Sequence, residues 1–226
     1  MKQPKVSVVV PAYNEEKRIK DTVVSILAIP MVHELIVVND GSEDNTATLA
    51  AQGGAKVVEL KRNSGKGAAL NRGIEEVEGD IIVLLDADLG SSASEGEKLI
   101  HPLLEGKADM TIAKFPPSGK KSGFGLVKGL ARLGIKTMTG LWVECPLSGQ
   151  RAMTRQVLDH IKSFQSGYGV EVGLTIGVAK GGFRIMEIDT QMEHKVTGRD
   201  IQGFLHRGKQ FNHVARVLWK VWREQK

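Results

Sequence analysis

The sequence predicts an α/β fold: a mainly parallel central sheet flanked by helices, closed by an amphipathic helix at its C-terminal end. Three observations carry that. Over residues 5–114, short runs of almost unbroken apolar β-formers alternate with stretches of helical period. The runs lack the polar alternation of half-exposed strands, as strands covered on both faces do. Polar and charged residues gather just past those runs, at Pro11–Glu15, Asp40–Ser42 and Asp86–Asp88, where open parallel sheets bind ligands.

The elements follow in order. KVSVVV (5–10) is a strand stopped by Pro11, and EEKRIKDTVVSILA (15–28) is a helix with Ile19, Val23, Ile26 and Leu27 on one face. ELIVVN (34–39) is a second strand. SEDNTATLAAQ (42–52) is a helix with Ser42 as its N-cap and Gly53-Gly54 as its stop. AKVVEL (55–60), DIIVLL (80–85) and ADMTIAK (108–114) are further strands, separated by helices at 65–77 and 94–106. The second half opens with a Pro/Gly/Ser loop (115–125) and a helix at 126–142. PLSGQRAMTRQVLDHI then reads as a short strand and a helix, residues 170–182 as a glycine-stopped helix, and FRIMEIDT (183–190) as a strand. No internal repeat is present. We divide the chain into one domain over 1–198, with halves at 1–114 and 115–198, and a basic amphipathic helix over 199–226.

Composition narrows the function classes. At 41% hydrophobic and 25% charged residues the 226-residue chain reads as globular, and no apolar run approaches a membrane span. A single cysteine, Cys145, excludes an internal disulfide, and the start, broken early by Pro11, does not read as a secretory signal; the expected location is the cytoplasm. The net charge of +5 is concentrated after Arg199, which suits an anionic surface or substrate, and with only 5% aromatics a nucleic-acid partner is not expected.

The chemistry-bearing stretches begin with IIVLLDADLG (81–90). Asp86 and Asp88, two residues apart on an extended chain, point to one side and suit a divalent cation or a metal-bound diphosphate. The alternative is a pair of solvated loop carboxylates or helix caps; the place at the end of a buried strand favours the functional reading. In NDGSEDNT (39–46), Asp40 suits a nucleobase N–H edge, and the stretch reads equally as a well-made strand–helix turn. NSGKGAALNRG (63–73) sets Lys66 and backbone amides before a helix, which suits phosphate without being a P-loop.

Taken together, VSVVVPAYNEE, ELIVVNDGSEDNT, GKGAALNRGI and DIIVLLDADLG, in that order, resemble the nucleotide-binding half of family 2 glycosyltransferases with the GT-A fold. The resemblance implies that Pro11, Ala12, Tyr13, Glu15 and Asp40 hold the nucleoside, Lys66 sits near base or phosphates, Asp86 and Ala87 face ribose or sugar, and Asp88 ligates Mn²⁺ or Mg²⁺. In the second half, PLSGQRAM, GYGVEVGLTI and a later His194 are similar to the acceptor half of glucosyl-3-phosphoglycerate synthases, and the Ser-Gly-x-Arg segment also to dolichol-phosphate mannose synthases. That likeness implies Tyr168 and Glu171 at the sugar, His194 on the metal, and Glu171, Asp86 and Arg151 as the catalytic set. The Arg-Val-Thr triplet by which phosphoglycerate enzymes hold their acceptor is replaced here by GFGLVKGLAR (123–132). Lys120, Lys121 and Lys128 remain to attract an anion, without the fork of an arginine.

The C-terminal stretch carries Ile201, Phe204, Leu205, Phe211, Val214, Leu218 and Trp222 on one side and basic residues on much of the other. It suits a bilayer interface and equally a helix packed on its own domain. The reading is thus a metal-dependent glycosyltransferase: a hexosyl group moves from a UDP- or GDP-sugar to a phosphorylated acceptor, a polyprenyl phosphate or other lipid, or a small acid such as phosphoglycerate. A peripheral place on the inner membrane face and a homodimer are further expectations. The competing readings are a non-catalytic nucleotide-sugar-binding protein and a sugar-nucleotide pyrophosphorylase. A dehydrogenase is disfavoured, since no Gly-x-Gly-x-x-Gly follows the first strand.

Overall fold

Strand β1 (Val6–Ala12) is the axis of the sheet, and it is apolar because both its faces are covered. Val9 points into one apolar layer, while Val8 and Val10 point into the other. The computed structural model describes residues 4–116, 125–164, 169–193, 214–216, 218, 219 and 223. Within them β1 pairs in parallel with β2 (Val32–Asn39) on one side and β4 (Ile81–Leu84) on the other, and β2 pairs in parallel with β3 (Lys56–Glu59). β5 (Met110–Lys114), β6 (Arg151–Thr154) and β7 (Ile185–Asp189) complete a sheet of order β3-β2-β1-β4-β6-β5-β7.

Helices α1 (Ile19–Leu27), α2 (Thr46–Gly53), α3 (Lys66–Ile74), α4 (Glu97–Leu104), α5 (Gly125–Thr139), α6 (Arg155–Ile161) and α7 (Val170–Lys180) cover the two faces. Ile19, Val23, Ile26, Leu99 and Ile100 close one layer; Leu70, Ile135, Val157 and Val172 lie in the other. Among the described residues no helix is long and apolar enough to cross a membrane.

Two expectations change. The helix at 94–106 is a 3₁₀ turn over Gly90–Gly96 that passes into α4. Ser42 does not cap α2: that helix starts at Thr46 behind Asn45, and the Ser42 hydroxyl accepts the Asn14 amide at 3.0 Å. The expected direction of the sheet holds except for β6, which runs antiparallel to both β4 and β5. That reversal matters for the site. Leu84 stands opposite Arg151, so the residues that lead into β6 arrive where β4 ends.

The turn after β2 shows how closely the strand ends are built. Gly41 has a φ of +68°, and a Cβ there would lie 2.6 Å from the Arg62 carbonyl carbon. Both the left-handed backbone and the contact exclude a side chain. Gly41→Ala is therefore expected to cost at least about 2 kcal/mol in denaturant unfolding. A loss under half of that would show that the 62–65 loop is free to move aside.

Candidate functional site

The carboxyl ends of β1, β2 and β4 lie side by side, with Ala12 paired to Asn39 and Val9 to Leu84. Three loops leave this edge, and they are tied to one another. Asn14, held at φ +53°, accepts the Glu43 amide through Oδ1 at 3.0 Å. The Glu15 amide donates to Thr46 Oγ1 at 2.8 Å, and the Glu16 amide to Asp44 at 3.2 Å. Slight burial pushes the Asp44 carboxyl up, but the bonds it accepts from the Thr46 hydroxyl and from the amides of Glu16 and Thr46 hold it below its usual range. Thus PAYNEE and NDGSEDNT form one clasp. Asp40 is buried at its base, and its two oxygens accept the amides of Ser64 and Gly65, each at 2.8 Å. Its first task is to order the loop that carries Lys66; the lone pairs left over are what a ligand N–H would meet.

Lys66 opens α3 behind Gly65, whose φ of +89° turns the chain into the helix. Its ammonium lies 2.7 Å from Asp86 and 3.2 Å from Glu171. Desolvation pushes the ammonium down, but the charges of Asp86 and then Glu171 outweigh it, so its pKa stands above the usual lysine range. Glu171 sits in the first turn of α7, where the helix end favours a carboxylate. Three residues named from separate parts of the sequence therefore meet at one point.

A fourth member, Gln150, was not foreseen. Buried just before β6, it donates from Nε2 to Asp86 Oδ2 at 2.7 Å and accepts the Asp86 main-chain amide at 3.0 Å. The amide thus grips Asp86 at two points and fixes its rotamer. Gly149 makes the approach possible: a Cβ there would fall 2.4 Å from Lys66 Nζ. The only signal in sequence was the PLSGQR segment, and the antiparallel turn of β6 is what gives it meaning. Beside it, Ser148 Oγ is buried with no hydrogen-bond partner among the described residues.

Other expected site residues take different places. Asp86 and Asp88 do not lie on the strand, which ends at Leu84, so strand alternation does not set their direction. Asp86 faces Lys66 and Gln150, while the Asp88 carbonyl accepts from Arg18 at 2.9 Å. Ala12 and Ala87 are buried in the apolar layer that also holds Ile19 and Val23, and the Ala87 carbonyl is taken by Thr22. They shape the floor of the site and offer no side chain to a ligand. Pro11 and Glu15 are partly buried, and Tyr13 is exposed at the rim.

Arg151, expected in the catalytic set, is enclosed. It donates to the Ser148 carbonyl, the Pro146 carbonyl and Thr175 Oγ1 at 2.9, 3.2 and 2.8 Å, and burial pushes its pKa down to about 10 against the pull of Glu171 and Glu187. A guanidinium so committed braces the 146–148 turn against α7. Tyr168, His194, Lys120 and Lys121 lie outside the described residues.

Among the described residues no group of three or more His, Cys, Asp or Glu side chains is placed to hold a metal ion. Asp88, a hard oxygen donor at the strand ends, fits a cation whose remaining ligands come from a bound diphosphate.

The model of glycosyl transferase family 2 matches residues 7–162. The glucosyl-3-phosphoglycerate synthase of Mycobacterium tuberculosis is 36% identical over 194 residues, covering 76% of this chain; the chain thus spans 60% of that relative's length. An undecaprenyl-phosphate 4-deoxy-4-formamido-L-arabinose transferase of Pseudomonas fluorescens is 38% identical over 106 residues, 42% of this chain and 31% of its own. Among solved structures, that of the M. tuberculosis synthase with Mn²⁺, UDP and phosphoglyceric acid superposes with a TM-score of 0.79 at 30% identity, covering 96% of this chain and 78% of the other.

Gln150→Leu leaves an Asp86 amide and a carboxylate oxygen without their partner. It is expected to lower unfolding free energy by about 1–3 kcal/mol in urea. Gln150→Glu, which sets two carboxylates side by side, is expected to lose more at neutral pH. Wild-type stability in both would remove Gln150 from the network.

Proposed function

The chain belongs to glycosyl transferase family 2, and on that premise we propose that it moves a hexosyl group from a nucleotide-diphosphate sugar to a phosphorylated acceptor. The observation that carries this reading is the meeting of Lys66, Asp86, Gln150 and Glu171 at the strand ends. Such a group, with one cation between two carboxylates, suits hydrogen bonding to the hydroxyls of a neutral sugar. The tied loops of PAYNEE and NDGSEDNT suit the nucleoside, with Tyr13 at the rim and Asp40 beneath. The Mn²⁺ or Mg²⁺ seen with UDP in the M. tuberculosis synthase structures supports a cation requirement here.

In this proposal the acceptor oxygen attacks the anomeric carbon as the bond from that carbon to the diphosphate oxygen breaks. Asp88, with His194, would hold a divalent cation, and the chemistry that ion supplies when bound is neutralisation of charge on the departing diphosphate. Asp86, fixed by Gln150 and Lys66, orients the sugar. An acceptor phosphate arrives already ionised and needs no strong base. Where the attacking group is a hydroxyl, Glu171 is the residue to position it and take its proton. Both the phosphoglycerate synthase and the undecaprenyl-phosphate transferase among the relatives support acceptors with a phosphate, one on a small acid and one on a lipid. Cys145, the sole cysteine, is half-buried and unpaired, which supports a reducing compartment such as the cytoplasm.

The test is thermal stabilisation by a panel of UDP-, GDP- and ADP-sugars with Mn²⁺ or Mg²⁺, followed by transfer of labelled sugar. One nucleotide sugar at a hundred times its dissociation constant is expected to add about 2.7 kcal/mol. Asp88→Ala is expected to abolish the metal-dependent part of that gain, and Glu171→Gln to leave it while slowing transfer to a hydroxyl acceptor by about 100-fold or more. Binding without any turnover would favour a nucleotide-sugar-binding module. No response to any member of the panel would remove the transferase reading.

A further inference from the structure

The basic amphipathic stretch remains unexplained by the site, and so does α5. From Met110 to Val143 the chain has no acidic residue and six basic ones: Lys114, Lys120, Lys121, Lys128, Arg132 and Lys136. α5, in the middle of this stretch, buries Val127, Ala131 and Ile135 and turns the opposite side outward. On that outer side Leu126 is 84% exposed and Leu133 is 63% exposed. Their spacing of seven residues stacks them along one ridge of the helix.

Each flank of the ridge carries a tryptophan. On one side Trp142, 56% exposed, has Arg132 and Lys136 over its ring at 5.6 and 5.4 Å. On the other, Val214 and Leu218 join the core layer that contains Val127, Ala131 and Ile135, and Leu218 lies tight against Gly134, where a Cβ would meet it at 2.4 Å. That contact seats the described C-terminal helical residues on α5. Next to Leu218, Trp219 stays 58% exposed with Arg223 over its ring at 4.8 Å.

We propose that this face, α5 with Trp142 and Trp219, docks on an anionic phospholipid bilayer. An apolar ridge with tryptophans on both sides, each ring paired with a cation, places apolar bodies where acyl chains begin and ammonium or guanidinium heads where lipid phosphates lie. A helix whose charged side chains are all basic complements a negative lipid surface. The tail resolves into both of its candidate uses, with Leu218 packed inward and Trp219 left outward. This inference stands independently of the transferase reading, because it concerns the protein without any sugar nucleotide.

Co-sedimentation of the full chain with phosphatidylcholine vesicles, with and without phosphatidylglycerol, tests it. Binding is expected only to the anionic vesicles, with a blue shift of tryptophan emission and release by salt. Leu126→Glu with Leu133→Glu, both at exposed positions, is expected to lower partitioning by at least about tenfold with the thermal midpoint held. Lys136→Gln, a milder change, is expected to lose about fivefold. Failure to bind anionic vesicles, or equal binding to neutral ones, would overturn the proposal. So would a dimer that the double glutamate variant dissociates, which would assign the face to a second copy of the chain.

Discussion

One ammonium group organises the site. Lys66 stands between two carboxylates, Asp86 after β4 and Glu171 on α7, which lie far apart in sequence. Neither carboxylate is fully in water, so without the cation their charges would repel across a medium that screens them poorly. With it, the first half of the chain and the second share a joint at the strand ends. The rest of the local architecture serves that joint. Asp40 orders the loop before Lys66, Gly149 leaves room for its head, and Gln150 holds the far side of Asp86. Arg151, buried below, braces the turn that delivers Gln150. This edge of the sheet is thus a stack of supports in which each polar group is placed by another.

Much of this was legible from residues alone, for a physical reason. Strands covered on both faces need unbroken apolar runs, and VSVVV, LIVVN and IIVLL have no other economical use. Once those runs are strands, Asp40, Lys66 and Asp86 fall near one edge by topology. What escaped the sequence reading depends on geometry that no local pattern encodes. RAMT reads as a strand in either direction, yet only the antiparallel one brings Gln150 to Asp86. Arg151 reads as a catalytic arginine, and the fold encloses it, with three of its N–H groups donating to two carbonyls and Thr175. Ser42 has the residue type of an N-cap, but a tertiary bond from Asn14 claims it and the helix starts later. In each case a long-range partner outweighed a local preference.

The amphipathic tail shows a different limit. Periodicity reports that a helix has an apolar side and a basic side; it does not report what the apolar side touches. Here the described residues of the stretch supply that contact. Val214 and Leu218 are buried, whereas Trp219, one residue on, is exposed. The decisive feature is Gly134, which lets the tail approach α5 closely enough to seat Leu218 and leave Trp219 outside. Packing and exposure are therefore not exclusive alternatives for such a stretch: adjacent residues take one each.

The two basic features of the second half bear on the acceptor together. Soluble phosphoglycerate must be captured from dilute solution, and a planar guanidinium fork with a neighbouring hydroxyl is suited to that task. The stretch at 123–132 lacks the Arg-Val-Thr triplet, and the guanidinium it does carry, on Arg132, donates to the Glu144 carbonyl at 3.1 and 2.6 Å. A lipid-borne phosphate presents a different problem. Were the protein to rest on a bilayer as proposed, donor site and acceptor would share a surface, and the effective concentration of acceptor would rise without any added contact in the pocket. Lysines that attract without fixing geometry are then sufficient, because the membrane supplies the orientation. If the proposed docking face holds, it and the absent Arg-Val-Thr triplet would be one adaptation, to an acceptor phosphate carried on a lipid.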